Sequence, residues 1–396
     1  MIRLTVAALA LCSAAPLLAD THTISPGEGA QERLQEALIL AEPGDEVVLE
    51  AGRYTLSDGL SLDVDGVTLR GAGMNASILD FTNQAGSGEG LLVTSDNVTL
   101  RDFAVENAKG DGIKSKGADQ IVYHALRVEW TGGPKASNGA YGIYPVEASN
   151  ILVQDSYVRG ASDAGIYVGQ SENIIVRRNS VVENVAGIEI ENSNHAEVTE
   201  NLATKNTGGI LVFDLPGLPK VGGGDVLVAR NAVIDNNTDN FAPEGNIVAS
   251  VPSGTGVMIM ANTKVQVLDN ALINNSTSHV MMIAYTQPYT DERFQPRPVQ
   301  VEVRGNVYGS GGNAPDFAGG DVIASMMGGS LPPILTDGLH ENLGRGDNVP
   351  ILTLGLTEVG QPFTEAQPSL LRAAPITSTW TNDPVELPAE MEARIR

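Results

Sequence analysis

Apolar residues along this chain recur in short alternating runs, not in helical stripes. One phrase, a residue followed by Gly and then by an apolar residue, returns at Glu89-Gly90-Leu91, Asp111-Gly112-Ile113, Tyr141-Gly142-Ile143, Ala164-Gly165-Ile166, Ala186-Gly187-Ile188, Gly208-Gly209-Ile210 and Thr255-Gly256-Val257. The glycine numbers differ by 22, 30, 23, 22, 22 and 47, so one repeat is close to 22 residues, with insertions. A second alternating run follows each glycine by about eight residues, as in Asn97-Val98-Thr99-Leu100, Asn150-Ile151-Leu152-Val153 and Asn173-Ile174-Ile175-Val176. A third comes next, as in Asn179-Ser180-Val181-Val182-Glu183-Asn184 and Asn201-Leu202-Ala203-Thr204-Lys205-Asn206. Alternation of period two predicts strands. Three strands per coil predict an all-β fold, a single-stranded right-handed parallel β-helix with three sheets and about 22 residues per coil. Leucine-rich repeats have a similar length, but their leucine and asparagine consensus is missing. The stack Ile113, Ile143, Ile166, Ile188, Ile210 and Val257 is expected to point inward. The repeated asparagines are expected to be structural, bonding the backbone at bends and one another between coils.

A stack of coils has two open ends that need caps. Gln31 to Leu40 reads as an amphipathic helix with Leu34, Ala37 and Leu38 on one side, followed by Pro43-Gly44-Asp45 and a strand at Val47-Val48-Leu49. Residues 20–80 are therefore assigned to an N-terminal cap and first coils, 81–310 to the β-helix, and 311–396 to an irregular C-terminal segment packing along it. Residues 1–19 read as a signal peptide: Arg3, an apolar run from Leu4 to Leu18, then Ala19 before Asp20. No second apolar run approaches the roughly 20 residues of a membrane span. A periplasmic or secreted protein is expected. Cys12, the single cysteine, lies in the leader, so the mature chain offers no disulfide and no thiolate ligand.

Composition narrows the partners. Acidic residues number 48 against 24 basic ones, a formal charge of -24 that repels phosphate backbones and argues against nucleic acid. The 44 glycines and 5% aromatic residues suit many short strands joined by tight turns.

The phrases Gly-Ile-Tyr, Asn-Ile-Ile-Val and Asn-Xaa-Val-Xaa-Xaa-Asn, over roughly residues 30 to 310, resemble the pectin-lyase-like superfamily, especially the branch holding copper-site accessory proteins of nitrous oxide reductase and mannuronan C5-epimerases. The resemblance implies the β-helix and a ligand surface along one sheet. The Asp-Pro-His of the epimerases is absent, since Asp383-Pro384 is followed by Val385. The aspartate constellation of polygalacturonases and the Trp-Xaa-Asp-His of pectate lyases are absent too.

If the residue after each glycine points inward, the second and fourth after it point outward. The outer rows are then Lys114 and Lys116, Tyr144 and Val146, Tyr167 and Gly169, Glu189 and Glu191, Leu211 and Phe213, Met258 and Met260. Insertions at Thr131 to Ala140, Thr238 to Ser253 and Leu215 to Gly224 flank this face and are read as cleft walls. A covering C-terminal segment is the competing expectation. In an open groove Tyr144 and Tyr167 are candidates to stack on sugar rings. Glu189 and Glu191, about 7 Å apart within a row, are candidates for acid and base in glycoside hydrolysis. Alternatively Lys114 neutralises a uronate while Tyr144 or Tyr167 moves the C5 proton, as a lyase or epimerase requires. Lys116, Phe213 and Asp214 complete the substrate-binding set. Asp111, Asp163 and Asp214 at strand edges suit Ca²⁺ or plain turn chemistry. Met258 and Met281 in register, with His279 at the edge, suit Cu(I) or an apolar seam. Two functions stay open: a carbohydrate-active protein with a polysaccharide partner, as lyase, epimerase or hydrolase, and a non-catalytic periplasmic scaffold or maturation accessory serving a redox or metal partner.

Overall fold

The computed structural model describes residues 19–86, 88–362, 365–371 and 382–395. The expected leader, residues 1–18, lies outside the described residues. A typical coil contains the strands Tyr141–Val146, Ser149–Gln154 and Tyr157–Arg159. The bends between them are two residues long, tight enough that Glu147 and Asp155 take left-handed φ angles of 52° and 54°. Coil on coil, equivalent strands pair in parallel and form sheets of 12, 12 and 10 strands. The Gly-Ile phrases lie on what is here called the first sheet, the Asn-Ile-Ile-Val phrases on the second, and the short runs such as Ser180–Val182 on the third. The chain is a parallel β-helix, as the period predicts.

Register follows the repeat residue for residue. Ile113, Ile143, Ile166, Ile188, Ile210, Val257 and Val280 are successive Cα partners, and Ile334 and Ile351 continue the column. All are buried, and each stabilises the fold by about 1.5–3 kcal/mol. The glycine before each isoleucine from Ile113 to Ile210 is required by close approach. A Cβ on Gly187 would stand 2.5 Å from the Gly209 carbonyl oxygen and 3.0 Å from the Asn206 amide.

Two buried asparagine ladders run up the corners. Asn179, Asn201, Asn231, Asn270 and Asn306 pass one amide to the next, each Nδ2 donating to the following Oδ1 at 3.0 Å. Asn184, Asn206, Asn236 and Asn275 do the same at 2.9–3.1 Å. Each Nδ2 also donates to a backbone carbonyl, as Asn206 does to Val181 at 3.1 Å. The left-handed residue at these corners is the one before the ladder asparagine, such as Arg178 or Glu183. Asn150 and Asn173, at the entry to the second sheet, are themselves left-handed.

Helix Ala30–Leu40 caps the first coil with Ala30, Leu34, Ala37 and Leu38. At the other end the coils continue past residue 310. Ile334–Thr336 and Ile351–Thr353 add two rungs to the first sheet, and Ser369–Leu371 closes its edge antiparallel. The rhythm fades from the sequence there because long insertions separate these strands. Residues 382–395 run back over the second sheet, where Met391 packs on Val122, Leu152 and Ile175 and Arg177 pairs with Glu392 at 2.6 Å. Among the described residues no helix is long and apolar enough to cross a membrane.

Replacing Asn206 by Ala would leave the Asn184 backbone N–H and side-chain amide without their acceptor. Each orphaned buried group costs about 1–3 kcal/mol. Urea titration should show the Asn206→Ala chain less stable by about 3 kcal/mol, with the same loss at Asn231→Ala and a far smaller one at the exposed Asn313→Ala.

Candidate functional site

The outward rows fall where the alternation places them. Lys114 is the Cα partner of Tyr144, Tyr167 of Glu189, Glu189 of Leu211, Leu211 of Met258 and Met258 of Met281. Five expected site residues, Lys114, Tyr144, Tyr167, Glu189 and Glu191, therefore occupy neighbouring rungs. Their exposure differs sharply. Lys114 and Tyr144 meet solvent, whereas Tyr167, Glu189 and Glu191 are buried, Glu189 to 1% exposure.

Tyr141 joins this group. The rings of Tyr141, Tyr144 and Tyr167 lie 4.5–4.8 Å apart, with Tyr144 and Tyr167 edge to face. Tyr167 lies across Gly169, where any Cβ would collide with its ring, and its hydroxyl bonds Glu191. Tyr141 bonds Asp163 in the same way. Lys114 sits 4.8 Å above the Tyr144 ring, 3.1 Å from Glu89 and 3.6 Å from Asp111. The tyrosines thus separate a buried acid group, Asp163, Glu189 and Glu191, from a surface group of Glu89, Asp111 and Lys114.

Burial is the main force on these carboxyls. It pushes Asp163 up to about 7, against the Tyr141 hydrogen bond and with the help of the Asp111 charge. It raises Glu189 well above the usual range, with Asp163 and Glu191 adding repulsion. Glu191 is lifted to about 7 by burial, the Tyr167 hydroxyl opposing. Asp111 rises to about 6 by burial, although Lys114 pulls it down. Asp163 Oδ1 and Glu189 Oε1 are buried without a hydrogen-bond partner. Such a cluster holds protons near neutral pH because ionising every member in one low-dielectric pocket is prohibitive.

The other expected residues go elsewhere. Lys116 is exposed, 56% at its side chain, and 3.7 Å from Glu147. Phe213 is buried with Leu211 under Val248 and Val251 of the 238–253 insertion. Asp214 is occupied structurally, accepting from the Gly223 N–H and from Asn262 Nδ2 at 2.8 Å, which pins the 215–224 insertion. Met258 and Met281 pack into an apolar cluster with Leu335, Leu352 and Leu354. His279 stands in the glycine column, opposite Gly256, and terminates an asparagine ladder: its Nδ1 is 3.1 Å from Asn275 Nδ2 and its Nε2 3.3 Å from the Gly309 carbonyl. Both ring nitrogens are engaged away from the methionines, which corrects the expectation of a joint Met258, Met281 and His279 site. Among the described residues no cluster of three His, Cys, Asp or Glu side chains is placed to hold a metal.

Among the described residues the C-terminal segment thus covers the late rungs, from Met258 onward, and leaves the early rungs at Lys114 and Tyr144 open. Glu89 and Tyr141 were not legible as members of the site, and Asp111 and Asp163 were legible only as strand-edge carboxylates suited to Ca²⁺ or a turn. A signal existed at Tyr141, a large ring in the slot that later coils fill with Ala164, Ala186 and Gly208.

The model of the right-handed β-helix region matches residues 65–219. No curated protein sequence matches the chain. Among solved structures, the A-module of mannuronan C-5 epimerase AlgE4 from Azotobacter vinelandii is 14% identical with a TM-score of 0.51, covering 82% of this chain and 95% of that one. DFA-IIIase from Arthrobacter chlorophenolicus A6, without its lid and in complex with GF2, is 12% identical with a TM-score of 0.52, covering 83% and 95%. At such identities the likeness is one of fold, and the match of residues 65–219 agrees with the period of the coils and their three sheets. The chain is a right-handed parallel β-helix.

Proposed function

We propose that the chain hydrolyses a neutral glycan laid across the open early rungs of the first sheet. One observation carries it: Asp111 and Glu89 flank Lys114 at the surface, and Asp111 keeps its proton up to about pH 6. A glycosidic oxygen needs a proton donor on one side and a carboxylate on the other. Asp111 is the donor, and Glu89 directs water or meets the anomeric carbon. Lys114 holds the two carboxyls in place, while Tyr144 and Tyr141 present ring edges and faces to a sugar. The buried Asp163, Glu189 and Glu191 keep the pocket acidic and hold the tyrosines through Tyr141 and Tyr167. Glu89 and Glu147 repel uronates, so a neutral glycan suits the face better than alginate or pectin. The mannuronan C-5 epimerase shares the fold and is named for a polysaccharide; the substrate class proposed here is the neutral counterpart. The run from Arg3 to Leu18 further suggests that the protein meets this glycan outside the cytoplasm.

A reducing-end screen on neutral glycans tests this, run beside an ultraviolet lyase assay on polyuronates. Asp111→Asn and Glu89→Gln should each lower kcat/KM by about 10²-fold or more. Activity confined to polyuronates, or variants equal to wild type on every responsive glycan, sinks the proposal.

The same acid supplies a pH signature. Asp111 must be protonated to donate, so kcat/KM should fall about tenfold per unit as pH rises above about 6, and Asp111→Asn should abolish that limb.

Stability should show the buried acids separately. Their folded pKa values lie above those of the unfolded chain, so the native state binds more protons between about pH 4 and pH 7. Stability is then greater at the acid side of that window and declines as pH rises through it. Glu189→Gln, which removes a carboxyl whose proton burial holds on, should shrink that loss, read as a smaller drop in Tm as pH rises.

A further inference from the structure

Beyond Met258 the described residues leave a cavity of about 370 Å³ between the face of the first sheet and the segments folded over it. That volume falls at the small end of ligand sites, which span about 300–1,000 Å³. Its floor is made by Met260, Met281, Ile283 and Leu335, outward residues on successive rungs. Leu354, Phe317 and Tyr285 form walls from three other segments. The Tyr285 wall is braced, since its ring meets Phe294 at 5.3 Å and Tyr289 at 6.4 Å.

The polar groups at this cavity tell what it excludes. Among the described residues no Lys, Arg or His lines it, and the two acids that do are Asp316 and Asp337. Asp337 accepts from the Ala284 N–H at 2.6 Å and the Leu339 N–H at 2.8 Å, and Asp316 accepts from the Ser253 N–H at 2.9 Å. The carboxylates therefore fix the loops. An anionic head group would face two carboxylates without a counter-charge, whereas an ammonium would find both oxygens of Asp337 and one of Asp316 already accepting from backbone N–H groups. Apolar walls with two thioethers, which adjust their shape to the guest, suit an uncharged hydrocarbon surface.

We propose that this cavity binds an uncharged apolar ligand, an alkyl chain or aromatic ring carried by a neutral molecule. The site is separate from the glycan face. Six rungs divide the row of Lys114 from that of Met281, roughly 29 Å at about 4.8 Å per rung. The inference therefore stands whether or not the early rungs hydrolyse a glycan.

Fluorescence titration of the full chain with the neutral probe N-phenyl-1-naphthylamine tests it. The expected result is a saturable rise with one site per chain, reversed by 1-octanol and at least tenfold less effectively by octanoate or octylammonium. Ile283→Trp, which fills the cavity from its half-buried edge, should weaken probe binding at least tenfold with Tm unchanged. Leu356→Gln, which places an amide in the wall, should weaken it in the same direction. The displacement series uses the unaltered chain, so it decides even where a variant fails to fold. No saturable rise, or equal displacement by neutral and charged octyl compounds, overturns the proposal.

Discussion

Everything in this molecule depends on one coil lying on the next in a fixed register. Parallel strands about 4.8 Å apart bring each residue against its own equivalent, so the fold is stable only where like can pack on like. Isoleucine on isoleucine satisfies this by burial, and asparagine on asparagine by hydrogen bonds. The amide is unusual in carrying both donor and acceptor, so a column of asparagines satisfies itself through the interior, as in Asn184, Asn206, Asn236 and Asn275. A ladder of this kind must also end somewhere. One ends on His279 and the other on Asp347, which accepts from Asn306 at 3.1 Å.

The same constraint makes the outer face of the first sheet chemically tense. Stacking places Glu189 beside Tyr167 and one rung from the strand of Asp163, with Glu191 in the same row. Carboxyls that water would hold apart are brought together and then buried, and their protons stay on as a result. The tyrosine rings settle the conflict by lending hydroxyls to Asp163 and Glu191 while covering the acids from solvent. Lys114 performs the corresponding task at the surface for Glu89 and Asp111. A face that begins polar and ionised at Lys114 becomes protonated at Glu189 and wholly apolar by Met258.

Insertions divide that face further. The 238–253 insertion lays Val248 and Val251 over Leu211 and Met258, and the late segments add Leu335, Leu352 and Leu354. Apolar outward residues on the late rungs attract cover because exposed they would form a large apolar patch. Polar ones on the early rungs do not, and among the described residues those rungs stay open. The face is thus split into an uncovered polar stretch and a covered apolar one with a cavity in its cover.

The sequence alone determined the coil, its three strands, the inward isoleucine column and the outward rows, because period and alternation are local properties that stacking converts directly into register. Lys114, Tyr144, Tyr167, Glu189 and Glu191 could be put side by side for that reason. Tertiary structure decided what each of them meets. Burial of Glu189, the pairing of Tyr141 with Asp163, the capture of Asp214 by Gly223 and Asn262, and the turning of His279 toward Asn275 all involve residues from other coils or insertions. A repeat specifies its own neighbours, but a loop of irregular length is free of the period, and only packing in three dimensions fixes where it comes to rest.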